Sequence, residues 1–119
     1  MGEMGKHWAS HSNDATPEIW FQFEEEHSLA KIGFSSRKEN FFGQTPAHFL
    51  VIGSTMTENS KNWSTLLEVK NAGFTKNDEF NSWLIPTVNR KPFRCMGLKI
   101  LSTMSKKKYA ALRNITMWE

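Results

Sequence analysis

The residues best suited to bind another molecule lie in a polar segment, residues 37–44, with the sequence RKENFFGQ. This segment places an arginine, a lysine and an asparagine beside two adjacent phenylalanines. Guanidinium, ammonium and amide groups hydrogen-bond to hydroxyl, carboxylate or phosphate oxygens, while an exposed aromatic ring offers an apolar face. The segment is therefore predicted to be a recognition loop with the ligand-binding residues Arg37, Lys38, Asn40, Phe41 and Phe42. In an alternative interpretation, one of the two phenylalanines folds back and caps the hydrophobic core.

A second candidate group lies near the N-terminus and contains Trp8 and His11, with His7 and Asn13 nearby. Tryptophan supplies a stacking surface, and the imidazole and amide groups supply directional hydrogen bonds. Trp8 and His11 are therefore predicted ligand-binding residues, with the alternative that Trp8 packs beneath the fold as a plug. The i, i+4 spacing of the two histidines does not indicate a transition-metal site, because the sequence holds no Cys or His cluster to supply further ligands.

Catalytic machinery is not recognisable in the sequence. It contains no Gly-x-Ser-x-Gly elbow and no glycine-rich phosphate loop, and residues 24–26 are three adjacent glutamates rather than the opposed pair of a glycosidase. Residues 71–79 match a calcium-binding loop only loosely, because the required spacing of oxygen ligands is not met, and a polar turn is the better interpretation. The sequence thus predicts no enzyme, no catalytic residue and no cofactor. A structural calcium ion stays open, without identified ligands.

Length and charge narrow the class of protein further. The 119 residues fit one domain with an aromatic core, and a net charge of +3 is far below the basic loading of a nucleic-acid binder. The only compact basic run, residues 106–108, is interpreted as a solvated turn. A lone cysteine, Cys95, excludes a disulfide within the chain and is predicted to be a small buried hydrophobe. Residues 1–16 lack the apolar segment of a signal peptide, so the compartment stays unknown.

Alternating apolar residues predict β-strands along most of the chain. Ile19, Phe21 and Phe23 share one face of the first strand, and residues 24–28 are predicted to form a polar turn. Residues 1–16 are predicted to be an N-terminal tail and a Trp-bearing loop. About seven strands follow from these patterns, with no convincing helix, at the spacing of an all-β sandwich or jelly roll. The predicted strands are 18–23, 29–35, 48–54, 63–71, 83–85, 93–103 and 109–119.

Two details of the apolar pattern make local predictions. Residues 48–54 are apolar on both faces, which favours a central strand. The apolar phase slips by one residue between Leu112 and Ile115, which predicts a β-bulge near residues 113–114.

Three phrases of the sequence resemble the discoidin family, the coagulation factor V/VIII type C domains among the galactose-binding-like jelly rolls. Residues 7–23 are similar to the family's tryptophan loop and the strand after it, and residues 29–34 to the next strand, which ends at a ligand-facing loop. Residues 93–100 and 111–117 are similar to its two closing strands. The resemblance covers nearly the whole chain and implies a galactose-binding-like β-sandwich of about seven to eight antiparallel strands over residues 17–119.

The sequence departs from the family in two respects. The chain begins almost at the tryptophan loop, so the family's N-terminal strand and first ligand loop are expected to be missing. Such a sandwich would expose a sheet edge through which two copies could pair as a homodimer. The cysteines that join the termini in many members are also absent, as is the arginine-rich fucose-binding signature.

The resemblance implies a non-catalytic module that binds glycans through loops at one end of the sandwich, in cell adhesion or recognition. It also implies an extracellular location, whereas the single thiol is compatible with the cytoplasm or with a fragment of a larger protein. Peripheral binding to anionic phospholipid through the same loops is one alternative, and a protein–protein interaction module is another. A carbohydrate-processing enzyme would require a pair of convergent carboxylates in a pocket.

Overall fold

The computed structural model of the chain describes residues 2–9, 17–55, 63–105 and 110–119, and its architecture is all-β. The predicted fold class is thus confirmed. The strands are β1 (Gly2–Ala9), β2 (Glu18–Ser28), β3 (Lys31–Ser35), β4 (Pro46–Ser54), β5 (Ser64–Val69), β6 (Phe80–Leu84), β7 (Pro92–Thr103) and β8 (Ala111–Trp118). Two short 3-10 helices, Glu39–Gln44 and Thr87–Asn89, lie in the connections after β3 and β6.

The strands form two antiparallel four-stranded sheets packed as a sandwich. Sheet A has the order β1-β8-β3-β6, and sheet B has the order β2-β7-β4-β5. The chain crosses between the sheets at every connection except that from β4 to β5, which pair directly. Because β4 pairs with both β5 and β7, its predicted central position is confirmed.

The hydrophobic core lies between the two sheets and is rich in aromatic rings. Trp83 of β6 packs its ring 5.1 Å from that of Phe34 and 5.0 Å from that of Phe49, measured between centroids. Phe34 and Phe49 themselves are fully buried on opposite sheets. Burying a side chain of this size contributes about 1.5–3 kcal/mol, and tilted ring pairs add to this. The aromatic cluster therefore ties sheet A to sheet B.

The predicted N-terminal tail is wrong for residues 2–9. These residues form β1, which pairs with β8 from Gly2 opposite Met117 to Ala9 opposite Ala111. The sandwich therefore has an N-terminal strand, contrary to the expectation that it lacks one. Two glycines interrupt the side-chain pattern of this segment, so the sequence shows no apolar alternation that would predict a strand. Main-chain pairing with β8 defines the strand instead.

The predicted polar turn at residues 24–28 is also wrong, because β2 continues through it. After a break in register beyond Gln22, His27 and Ser28 pair with Phe93 and Pro92 of β7. Adjacent glutamates suit a solvent-facing strand edge as well as a turn, so their composition alone does not separate the two structures.

The predicted β-bulge at the start of β8 is confirmed. β3 pairs Gly33 with Thr116 and Ser35 with Arg113, so one extra residue of β8 lies between the two pairs. Asn114 adopts a left-handed conformation there, with φ of 54°, which asparagine tolerates better than most residues. Its side-chain amide donates to Oγ of Ser35 over 3.3 Å. A bulge redirects the neighbouring side chain, here that of Arg113.

One end of the sandwich gathers the connections that concern function, and we call it the loop end. β3 ends there at Ser35, opposite the first residue of β6, so the loops 36–45 and 70–79 lie side by side. The carbonyls of Gly43 and Thr45 accept hydrogen bonds from Ser105 and Met104 over 3.0 and 2.8 Å, which adds the end of β7 to this group.

Three further observations bear on the sequence predictions. Cys95 is buried, as predicted. Within the described residues no helix has both the length and the apolar character needed to cross a membrane. The basic run 106–108 lies outside the described residues.

Candidate functional site

The first 3-10 helix carries the predicted recognition segment. The amide of Phe41 donates to the carbonyl of Lys38 over 2.9 Å, and the amide of Thr45 donates to the carbonyl of Phe42 over 3.0 Å. These are the i→i+3 bonds of a 3-10 turn. The amide of Arg37 in turn donates to Oγ1 of the buried Thr45 over 3.0 Å. The segment is therefore closed on itself by its backbone, which sets where its side chains emerge.

The two adjacent phenylalanines have different environments. Phe41 is 49% exposed, whereas Phe42 is half-buried and packs against the core. The alternative in which one phenylalanine folds back is thus the one the structure adopts. The guanidinium carbon of Arg37 lies 5.1 Å from the centre of the Phe41 ring, within the range of a cation–π interaction. This contact orients the ring while about half of its surface stays accessible.

Asp78 joins two cations that come from different segments of the chain. Nζ of Lys38 lies 3.2 Å from Oδ2 of Asp78, and Nη1 of Arg113 lies 3.2 Å from Oδ1. All three groups are partly solvent-exposed, and exposed ion pairs contribute about 0–1 kcal/mol to stability. Their main effect is therefore to orient the side chains, leaving the three cations Arg37, Lys38 and Arg113 around one carboxylate.

The electrostatic surroundings of Arg37 reflect this excess of positive charge. Burial lowers the pKa of its guanidinium, the charge of Arg113 lowers it further, and the carboxylate of Asp78 opposes both. An arginine nevertheless stays charged in proteins, so the group remains a donor at physiological pH. The cluster is suited to attract electron-rich oxygens of hydroxyl or carboxylate groups.

Ser36 anchors the loop that carries Asp78. Its buried hydroxyl donates to the carbonyl of Lys76 over 2.8 Å and accepts a hydrogen bond from the amide of Glu79 over 3.0 Å. The amide of Ser36 also donates to the carbonyl of Glu79 over 2.9 Å. The recognition segment and the loop 70–79 therefore hold each other in place.

Two side-chain oxygen atoms of the loop 70–79 accept hydrogen bonds from within the loop. Oδ1 of Asn71 accepts a hydrogen bond from the amide of Gly73 over 3.0 Å, and Oε1 of Glu79 accepts one from the amide of Thr75 over 2.7 Å. Among the residues that the structure describes, no group of three or more His, Cys, Asp or Glu side chains is placed to hold a metal ion. These contacts fit the interpretation of residues 71–79 as a polar turn.

The remaining predicted site residues have mixed outcomes. Trp8 lies on β1 rather than in a loop, so the predicted Trp-bearing loop is wrong at this position; its backbone is opposite Leu112, at the start of β8. The cause is the same main-chain pairing that makes residues 2–9 a strand. Asn40 lies in the first 3-10 helix. His11 lies outside the described residues.

Sequence reasoning missed Asp78 and Arg113 as members of the site. The phase slip in β8 predicts a bulge beside Arg113, but it does not predict which loop the Arg113 side chain contacts. Asp78 was part of a segment interpreted only as a polar turn. The order of strands β8, β3 and β6 in sheet A brings both residues to the loop end.

The chain is an all-β sandwich. No protein-family model and no curated protein sequence matches the chain. It is similar to the solved structure of CpGH89CBM32-5 from Clostridium perfringens in complex with GalNAc-β-1,3-galactose, with 12% identity and a TM-score of 0.71 over 95% of this chain and 75% of that one.

Two further solved structures have the same fold. The family 32 CBM of Clostridium perfringens NanJ in complex with galactose has 9% identity and a TM-score of 0.70, over 95% of this chain and 76% of that one. The C-terminal domain of a chitobiase from Bacteroides fragilis has 19% identity and a TM-score of 0.69, over 94% and 71%. At these identities the likeness establishes the fold alone. This fold is the galactose-binding-like β-sandwich, which family 32 carbohydrate-binding modules share with discoidin domains.

Proposed function

We propose that the chain is a non-catalytic recognition module that binds a glycan at the loop end. The observation that carries this proposal is the half-exposed ring of Phe41, which Arg37 orients beside the cluster of Lys38, Asp78 and Arg113. An aromatic ring packs on the apolar face of a sugar ring, and charged groups beside it hydrogen-bond to the hydroxyls at its rim. The loop end holds both kinds of group within one site.

Each described residue has a separate role in this proposal. Phe41 is the stacking surface, the three cations donate to sugar oxygens, and the carboxylate of Asp78 accepts from sugar hydroxyls. Phe42 supports the turn from the core side. Trp8, His11 and Asn40 remain predicted contributors to the same surface.

The comparisons and the resemblance support a glycan as the ligand. Two of the similar structures are named as complexes with GalNAc-β-1,3-galactose and with galactose. The sequence resembles the discoidin family, whose loops at this end bind ligands, and we place the module with that family, in cell adhesion or recognition.

A non-catalytic role follows from the carboxylates in the described part of the loop end. A glycosidase needs two carboxyl groups facing each other across the substrate. Asp78 is held between two cations, and the Glu79 carboxylate is bonded to Thr75 within its own loop.

Anionic phospholipid is the second candidate ligand, because the same exposed ring and cations could enter a membrane interface. The two candidates differ in their response to salt and to free sugar. Electrostatic attachment to a lipid surface weakens as ionic strength rises, whereas stacking on a sugar depends little on salt and is competed away by the free sugar. A protein partner is the third candidate, and in that case the chain should bind neither glycans nor anionic lipid.

The proposal is tested by applying the purified chain to a glycan array and to anionic liposomes at low and moderate salt. We expect a sugar-specific signal that the free sugar removes. Phe41→Ala should lose this signal. Val88→Ala is its matched control, because Val88 is an exposed apolar residue that lies beyond the end of β6 distant from the loop end. The proposal would be contradicted if the chain bound no glycan on the array, or if it bound liposomes in a way that salt abolishes.

A further inference from the structure

The outer edge of β6 offers a free edge of sheet A. β6 is the last strand of this sheet, and within the described ranges no strand pairs with its far side. An open sheet edge presents backbone donors and acceptors that can pair with a further strand.

The outward-facing backbone groups of β6 are identified by the pairing on its inner side. The amide of Ile85 donates to the carbonyl of Ala30 over 2.8 Å, and the carbonyl of Glu79 accepts from the amide of Ser36 over 2.9 Å; Ala30 and Ser36 directly flank β3. Alternate residues of an antiparallel strand direct their backbone groups to opposite sides. The N–H and C=O groups of Phe80, Ser82 and Leu84 therefore face away from β3.

β6 lacks the features by which sheet edges are commonly protected. Its sequence, FNSWL, contains no charged residue and no proline. The other three edge strands differ in this respect: β1 carries Glu3 and Lys6, β2 carries Glu18 and the glutamates 24–26, and β5 carries Glu68. Charges on an edge oppose pairing with another chain, so the edge of β6 is the one that permits it.

Exposed apolar side chains gather at the same edge. Leu84 is 67% exposed and Phe80 is 45% exposed, while Val88, just beyond the strand, is 75% exposed. The ring of Phe80 lies 6.2 Å from that of Trp118, which extends the apolar surface across sheet A. An apolar patch beside open backbone groups is typical of an interaction site.

We propose that β6 pairs antiparallel with β6 of a second copy of this chain, with the two-fold axis at Ser82. In this register Phe80 of one copy lies opposite Leu84 of the other, so the apolar side chains cover each other on both sides of the axis. Every outward N–H and C=O of the three residues gains a partner, which no shifted register achieves. The two A sheets become one continuous sheet.

This pairing has a consequence for ligand binding. The consequence rests on the proposed function, whereas the pairing itself is independent of it. Antiparallel strands run in opposite directions, and each β6 begins at the loop end of its own copy. The two loop ends therefore point away from each other. A dimer of this kind would bridge two glycan-bearing surfaces instead of placing both sites on one surface.

The test is the mass of the full chain by sedimentation equilibrium at concentrations from about 1 μM to about 1 mM, which covers weak dissociation constants in the same range. We expect a reversible monomer–dimer equilibrium. Leu84→Lys should weaken dimerisation about tenfold, because it removes both Phe80–Leu84 pairs and brings charge to the edge. Leu101→Lys is the matched control, since Leu101 is an exposed leucine on a central strand of sheet B, and it should leave the equilibrium unchanged.

The register is tested by cross-linking under mild oxidation. The two copies of residue 82 face each other with Cα atoms about 5.5 Å apart, a distance that a disulfide can span. Ser82→Cys should therefore form a covalent dimer, whereas Ser64→Cys on the edge of β5 should not. A monomeric mass at every concentration, or a dimer that Leu84→Lys leaves intact, overturns the proposal whether or not the chain binds a glycan.

Discussion

The guanidinium of Arg113 lies 3.2 Å from the carboxylate of Asp78, although 35 positions separate the two residues in the sequence. The contact joins the bulge of β8 to the loop before β6, and Lys38 reaches the same carboxylate from the loop after β3. Because β8, β3 and β6 are neighbours in sheet A, three separate segments build one site. The site is therefore a product of strand order rather than of one motif.

Asp78 is expected to orient the site without stabilising the fold. Asp78→Asn removes both ion pairs but keeps a residue that tolerates the positive φ of 54° at this position. The free energy of unfolding should change by less than about 1 kcal/mol, because the pairs are exposed, while glycan affinity should fall several-fold. Urea denaturation and calorimetric titration measure the two effects.

Asp78→Ala is the informative companion variant. It should cost about 1 kcal/mol more than the asparagine variant, because alanine is strained in the left-handed region. A large loss of stability in Asp78→Asn itself would instead show that the carboxylate holds the fold together.

Ser36 is expected to be structural and, through its loop, to support binding. Ser36→Ala leaves the amide of Glu79 and the carbonyl of Lys76 without the hydroxyl that bonds to both, which should cost about 1–3 kcal/mol of unfolding free energy. Ser64→Ala, an exposed serine on β5, should change stability by less than about 0.5 kcal/mol in the same denaturation experiment. Equal effects of the two variants would remove Ser36 from this role.

Most strands could be predicted from the sequence because burial of one face imposes an alternating pattern. The closing strands and the bulge in β8 are examples, since a bulge shifts the pattern by one residue at a readable position. The N-terminal strand could not be predicted, because a segment with two glycines among its first residues has no apolar face to read.

The candidate site was predictable only in the part that is contiguous in sequence. Arg37, Lys38 and Phe41 stand within five positions, and their combination of cation and aromatic ring is a local signal. Asp78 and Arg113 enter through strand order, which no local pattern specifies. Which of the two phenylalanines would face outward depends on the 3-10 turn, whose hydrogen bonds are set by Thr45 and the neighbouring backbone.

Gly97 is expected to be intolerant of any side chain. A Cβ atom there would overlap the carbonyl oxygen of Ile19 and Cα of Trp20, so the backbone of β2 would have to move away from β7. Gly97→Ala should therefore cost about 3 kcal/mol.

Gly53→Ala is the comparison variant, because the Cβ there would meet the buried ring of Phe93 at 2.9 Å and not a backbone atom. Its cost should be about 1 kcal/mol, with both glycine variants measured by guanidinium denaturation. Similar losses for Gly53→Ala and Gly97→Ala would contradict the close approach of the two strands.

The thiol of Cys95 should make stability depend on pH. Burial raises its pKa, an effect that Arg94 only partly opposes, so the folded chain favours the protonated thiol more than the unfolded chain does. This contribution is present below the ordinary pKa of a thiol and is lost as the pH rises through that value towards the raised one.

The stability difference between the native chain and Cys95→Ala isolates this contribution. Between about pH 7 and about pH 10 the free energy of unfolding of the native chain should fall relative to that of Cys95→Ala, by at most about 1.4 kcal/mol per pH unit. A difference that stays constant over this range would show that burial does not perturb the thiol.

The most direct test of the account is the affinity of Phe41→Ala for the glycan identified on the array, measured by calorimetric titration beside Val88→Ala. We expect Phe41→Ala to lose at least about tenfold in affinity, because the exposed ring is the stacking surface, while its melting temperature stays close to that of the native chain. Val88→Ala should bind as the native chain does. Native affinity in a folded Phe41→Ala variant would contradict glycan binding at the loop end.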